Sequence, residues 1–133
     1  MRPPRVEVVH VGSAARDVAE DDPRGWRLGG GVTYAALTTA RLGLRTAAVI
    51  GADDAGAAAD ELDLLRDAGV DLLLQPLPEA PIFDNRETPA GRVQICHAVG
   101  RPLPVPSLPA DVVQKTRDKY LQAFRLLSGL ELE

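Results

Sequence analysis

Short apolar runs and helix-period segments alternate along the first half of this 133-residue chain, and no other feature constrains its fold as much. "RVEVVHVG" (5 to 12) alternates β-branched residues before a glycine and reads as a first strand. "SAARDVAEDDPRGW" follows as a polar connecting stretch. From Gly31 to Leu42 the spacing predicts a helix with Val32, Ala35, Ala36, Thr39 and Ala40 on its apolar face, stopped by Gly43. "RTAAVIG" (45 to 51) is an almost continuous apolar run, the pattern of a strand buried on both faces. "DDAGAAADELDLLRDAG" predicts a second helix, opened by aspartates at the end its dipole favours and closed by Gly69. "VDLLLQP" (70 to 76) gives a third strand. This order predicts an α/β fold, a parallel sheet covered by helices.

The rest of the chain reads differently. "APIFDNRE" and "GRVQICHAVG", separated by "TPA" and Gly91, predict a hairpin flap over about 81 to 98. "RPLPVPSLP" is a proline-punctuated connector. "ADVVQKTRDKYLQAFRLLSG" predicts an amphipathic helix with Val113, Thr116, Tyr120, Phe124 and Leu127 along one stripe.

Composition limits the function. Apolar residues make up 45% and charged residues 26%, so the chain is expected to fold, and its length suits about one domain. The net charge of -4, with no long basic run, argues against a nucleic-acid partner. Cys96 is the only cysteine, which rules out an intrachain disulfide or a cysteine metal cluster and fits a reducing cytosol. No run approaches the roughly twenty apolar residues of a membrane span, and "MRPPRVEVVHVG" lacks the pattern of a signal peptide. The expectation is a cytoplasmic protein with no membrane partner.

Few residues carry chemistry by pattern alone. In "RLGGGVTYAALTTARLG" (27 to 43) three glycines precede the helix, giving either bare backbone for a ligand or a tight turn with none; local sequence leaves both open. His10 and His97 stand alone and read as packed or edge histidines, with no metal pair. Cys96 has no adjacent activating partner and reads as structural. Glu20, Asp21 and Asp22 read as a solvated loop, and Asp60, Glu61 and Asp63 as water-facing.

Four phrases in order, "VGSAARD", "GGGVTYAALTTARLG", "AAVIGADDAG" and "LRDAGVD", resemble the N-terminal part of the ribokinase-like, or PfkB-type, carbohydrate kinases over about residues 5 to 106. The resemblance implies a partial ribokinase-like three-layer fold. Residues 1 to 106 would be its substrate-binding part, with the 81 to 98 hairpin as a lid, and 107 to 133 a linker and C-terminal helix. It also implies a small-molecule sugar or nucleoside as partner. Asp17 lies where the family holds a substrate hydroxyl, and Gly29, Gly30 and Gly31 would let the sugar rest on the backbone. Asp53 falls on the aspartate of V-G-x-D-x-x-G, a position that also suits a helix-start aspartate. Tyr34 stands where many relatives carry a substrate-binding asparagine. ATP and Mg are implied for a complete family member. The family's G-A-G-D phrase, whose aspartate acts as base and whose amides bind the transferring phosphoryl group, occurs nowhere in the sequence. Its nucleotide-binding region and any P-loop pattern are absent too. The expectation is therefore a chain with no catalytic residue and no cofactor of its own, which does not phosphorylate by itself. With most of the sheet missing, an exposed edge or face is expected.

The tail also resembles the final helix of SAICAR synthetases at Val112, Val113, Thr116, Tyr120, Ala123, Phe124, Leu127, Ser128 and Gly129. That implies a junction of two coding segments around 107 to 111; an ordinary amphipathic helix is the alternative. Three functional readings follow: a kinase-derived substrate domain, a non-catalytic module forming a homodimer through the lid or an exposed sheet edge, and a purine-pathway ligase remnant.

Overall fold

The computed structural model describes residues 6–104 and 110–130. The chain divides into two compact units, Met1–Leu103 and Pro104–Glu133. In chain order the first contains β1 (Val8–Ser13), β2 (Ala15–Val18), β3 (Trp26–Gly29), α1 (Gly31–Arg41), β4 (Thr46–Ala52), α2 (Asp54–Ala57), α3 (Glu61–Asp67), β5 (Asp71–Pro76), β6 (Ile82–Thr88) and β7 (Gly91–Ala98).

The alternation seen in the sequence produces a parallel sheet in the order β1-β4-β5, with Val11 opposite Val49 and Val49 opposite Leu73. Ala48, Ile50 and Ala52 of β4 pack with Val32 and Ala36 of α1 and Leu62 and Leu65 of α3. Ile50 and Leu62 are fully buried. Each contributes about 1.5–3 kcal/mol through apolar burial.

The expected parallel sheet with helices is present, and so is the exposed face. Among the described residues the helices cover one face only, because β1 to β4 and β4 to β5 step across the sheet in the same direction through crossovers of one hand. On the other face Val9, Val11 and Leu73 are 59%, 57% and 60% exposed. The run 45 to 51 was expected to be buried on both sides; instead Ala47 and Val49 are only half-buried. This is the exposed sheet face expected of a partial fold.

Two further expectations change. The polar stretch after β1 holds β2 and ends on the first residue of β3; the two pair antiparallel, and β2 also pairs parallel with β6. The hairpin β6-β7 is thus one half of a four-stranded sheet, order β3-β2-β6-β7. The single helix expected over 53 to 69 is two short ones, separated by a turn in which Ala59 N donates to Gly56 O at 3.2 Å and Leu62 N donates to Ala59 O at 3.1 Å. Ala59, 5% exposed, enters the core at that break.

The second unit contains α4 (Ala110–Ser128). Along the expected stripe, Tyr120 and Leu127 are exposed and Phe124 is half-buried. The expected junction spans 107 to 111, and its residues 107 to 109 lie outside the described residues, as do the side chains of Val112 and Val113. No helix among the described residues is long and apolar enough to cross a membrane.

Candidate functional site

Successive side chains of a strand point to opposite faces, so Arg16 and Asp17 of β2 serve different surroundings. Asp17 is opposite Arg27 of β3 and Phe83 of β6. The two-residue period adds Gly29 and Asn85 to its face, and Gln94 joins them from β7, opposite Asn85. Asn85 Nδ2 donates to Asp17 Oδ1 at 3.5 Å, and Gln94 Nε2 donates to Asn85 Oδ1 at 2.9 Å. Partial burial raises the Asp17 pKa above the ordinary carboxylate value, against a smaller opposing pull from the Arg92 guanidinium.

The three glycines turn out to be unlike one another. A Cβ on Gly29 would overlap the Asp17 carboxylate, so the bare backbone at 29 is the seat of that side chain. Gly30 has φ of 104°, and a Cβ there would lie 2.8 Å from Ser13 O and 3.0 Å from Ala15 N. It lets the chain turn from β3 into α1 directly against the crossing from β1 to β2. Gly31 opens α1 and a Cβ there would meet open space.

Asp53 is engaged on the opposite side of β2. Its carboxylate accepts from Gly56 N at 2.9 Å, capping α2, from Arg16 Nη2 at 2.8 Å, and from Ala80 N at 3.4 Å. At 7% exposure it fastens the end of β4 to the four-stranded sheet. Tyr34, 59% exposed, flanks a groove between α1 and α3 lined with Leu37, Leu64 and Glu61. Its hydroxyl has no hydrogen bond among the described residues. The structure thus brings Asp17 together with Gly29, beside Gly30, and engages Asp53 and Tyr34 elsewhere.

A second bracket joins the four-stranded sheet to the helices. Arg24 reaches Glu61 of α3 at 2.6 Å and Asp22 at 3.0 Å, with its guanidinium 4.6 Å from the centre of the Trp26 ring. Hydrogen bonds from Arg24 hold both Asp22 and Glu61 down at about 2. Glu61, expected to face water, also accepts from Leu28 N at 3.1 Å. The isolated histidines have local partners: His10 Nε2 lies 2.9 Å from Thr39 Oγ1, and His97 Nε2 3.7 Å from Asp84. Cys96 is exposed, with Sγ 3.2 Å from Ala98 O.

Asn85 and Gln94 were not singled out in the sequence. Their signal lies in "FDNRE" and "RVQIC", where alternation puts 83 and 85 on one face and 94 and 96 on the facing strand, but only the hairpin register shows that they meet.

No protein-family model matches the sequence. No curated protein matches it. Solved structures do. A pyrophosphate-dependent kinase in the ribokinase family, complexed with a pyrophosphate analog and myo-inositol, is 18% identical with a TM-score of 0.57, the match covering 84% of this chain and 45% of the kinase. The Methanocaldococcus jannaschii nucleoside kinase, an archaeal member of the ribokinase family, is 14% identical with a TM-score of 0.52, over 70% of this chain and 36% of its own. Fructokinase from Vibrio cholerae O395 is 24% identical with a TM-score of 0.50, over 72% and 34%. The fold is therefore a partial ribokinase-like fold, and the chain spans less than half the length of these solved kinases. The likeness of the tail to SAICAR synthetases finds no support in these comparisons.

Proposed function

We propose that this chain is the polyol-binding part of a PfkB-type carbohydrate kinase, taking a sugar or nucleoside at Asp17 beside the glycine run, where Gly31 alone of the three faces open space. The observation that carries this reading is the placement of Asp17, a half-buried carboxylate on the four-stranded sheet, seated on a glycine and hydrogen-bonded to the neutral amide of Asn85. An ionised carboxylate accepts strong hydrogen bonds from hydroxyls, and partial burial sharpens that selectivity. The solved kinases that share the fold include ones complexed with myo-inositol or acting on nucleosides, which supports a polyhydroxylated substrate. Asp53, with its oxygens occupied by internal donors, organises the fold around the site and does not touch the substrate. Tyr34, away from an asparagine's chemistry, offers one hydroxyl at most.

ATP and Mg serve the complete family, whose G-A-G-D phrase the sequence lacks. On this reading Asp17 and the glycine run bind and orient the substrate, and the phosphoryl-transfer chemistry belongs to the phrase that is lacking here.

Thermal unfolding with myo-inositol, fructose and adenosine tests the reading. A ligand at about one hundred times its dissociation constant stabilises the fold by about 2.7 kcal/mol, and Asp17→Ala abolishes the shift. A cooperative transition that none of the three moves defeats it. The uncovered sheet face favours a second reading, a module that self-associates through Val9, Val11 and Leu73; sedimentation that is independent of concentration excludes it.

A further inference from the structure

We propose that Asn85, oriented by Gln94, is the lid residue that positions the Asp17 carboxylate, which makes the hairpin a specificity-determining part of the site; this rests on the reading of Asp17 as the hydroxyl-binding group. The three side chains form a directional chain. Gln94 Nε2 donates to Asn85 Oδ1 at 2.9 Å, which turns the Asn85 amide with its nitrogen toward β2, where Nδ2 donates to Asp17 Oδ1 at 3.5 Å. A carboxylate can only accept, so the opposite amide orientation would set oxygen against oxygen. Oδ1 is engaged in this way, while Oδ2 lies over Gly29, so the amide fixes which oxygen faces β3. The Asp17 contact is at the long end of a hydrogen bond, a geometry that tightens when substrate completes the site. The charged groups sharing this face are Arg27 of β3, Glu87 of β6 and Arg92 of β7, and the first turn of α1 adds no acidic group. Arg27 is engaged by Asp21 at 2.6 Å. Asn85 is therefore the neutral donor that reaches Asp17, and because it and Gln94 sit on opposite strands of the hairpin, lid geometry and carboxylate orientation move together.

The test is the titration of the Asp17 carboxyl carbon by NMR in the full chain without ligand, its signal identified by comparison with Asp17→Asn. Asn85→Leu removes the donor and keeps the burial, so the Asp17 pKa should rise by roughly half a pH unit or more. Gln94→Leu should move it the same way by less. Asn85→Asp, which sets a second carboxylate beside the first, should move it furthest. An Asp17 titration unchanged in both Asn85 variants overturns the positioning role. Calorimetry with myo-inositol, fructose and adenosine reads the consequence: Asn85→Leu should weaken the wild-type ligand about fivefold or more. Binding left intact while the titration moves overturns the specificity role. Wild-type protein that binds none of the three defeats the reading of the site itself, while the ligand-free titration still decides whether Asn85 orients Asp17.

Discussion

The two sheets of the first unit are built on opposite principles. The parallel sheet β1-β4-β5 is aliphatic, carries unbroken six-residue registers on both sides of β4, and buries Ala48 and Ile50 completely beneath its helices. The sheet β3-β2-β6-β7 is polar and thin. β7 is exposed at every residue but its last, and a register shift interrupts β6-β7 at Ile82 and Phe83. A single residue, Ala14, 1% exposed and bonded through its amide to Gly51 O, passes the chain from one sheet to the other. The contrast separates two tasks that many small domains combine. Burial is concentrated in the first sheet, whereas the second carries the Asp17, Asn85 and Gln94 cluster that the proposed function assigns to the substrate.

Core truncation is the largest way to break that contrast. Leu62→Ala should cost about 2–5 kcal/mol in urea unfolding and lower the stability of both sheets together, since Leu28 of the four-stranded sheet is part of the same core. Next comes the fastening between the sheets. Asp53→Ala removes the α2 cap and the partner of Arg16, whose side chain is 24% exposed, so the loss should be about 1–3 kcal/mol, less than for a fully buried pair. Hydrogen exchange should then accelerate in β2 and β6 more than in β4; equal acceleration would dissolve the distinction between the sheets.

Proton linkage separates the sites by sign. Asp17, whose folded pKa is raised by burial, weakens the fold wherever it is ionised, a penalty complete at neutral pH and gone once the pH falls below the unfolded value of 3.8. Asp17→Asn should therefore raise the urea midpoint at pH 7 and leave it nearly unchanged at about pH 3. Glu61 behaves oppositely. Arg24 holds it at about 2, below its ordinary 4.5, so its contribution is present above that value and is lost as the pH falls from 4.5 toward 2; Arg24→Met should flatten the fall. Smallest of all, Val93→Ala on the lid, 44% exposed, should change stability by less than about 0.5 kcal/mol, and a larger loss would mean that β7 is covered in solution.

Residue patterns revealed the first sheet because each element is long enough to display its period. Gly31–Arg41 and Thr46–Ala52 fall within a residue of the spans that spacing predicts. β2 and β3 escaped because "ARDV" and "WRLG" are four residues each and carry charges, so neither resembles a strand in isolation. Coverage of one face was equally hidden. "TAAVIGA" reads the same whether its second side meets helices or solvent, and that choice is made by crossover direction. At the site, Asp17 and the glycines were legible through the resemblance, while Asn85 and Gln94 depend on a hairpin register that strand composition does not set.

The seating of Asp17 on Gly29 has a consequence for sequence change at both positions. The two residues compete for one volume, so neither is free to vary while the other stays as it is. A library randomised at 29 alone should return glycine almost exclusively, whereas one randomised at 17 and 29 together should recover folded chains with a side chain at 29 and a shorter residue at 17. Those chains would have traded the carboxylate for a filled backbone, and the route between the two solutions passes through single variants in which two atoms contend for the same place.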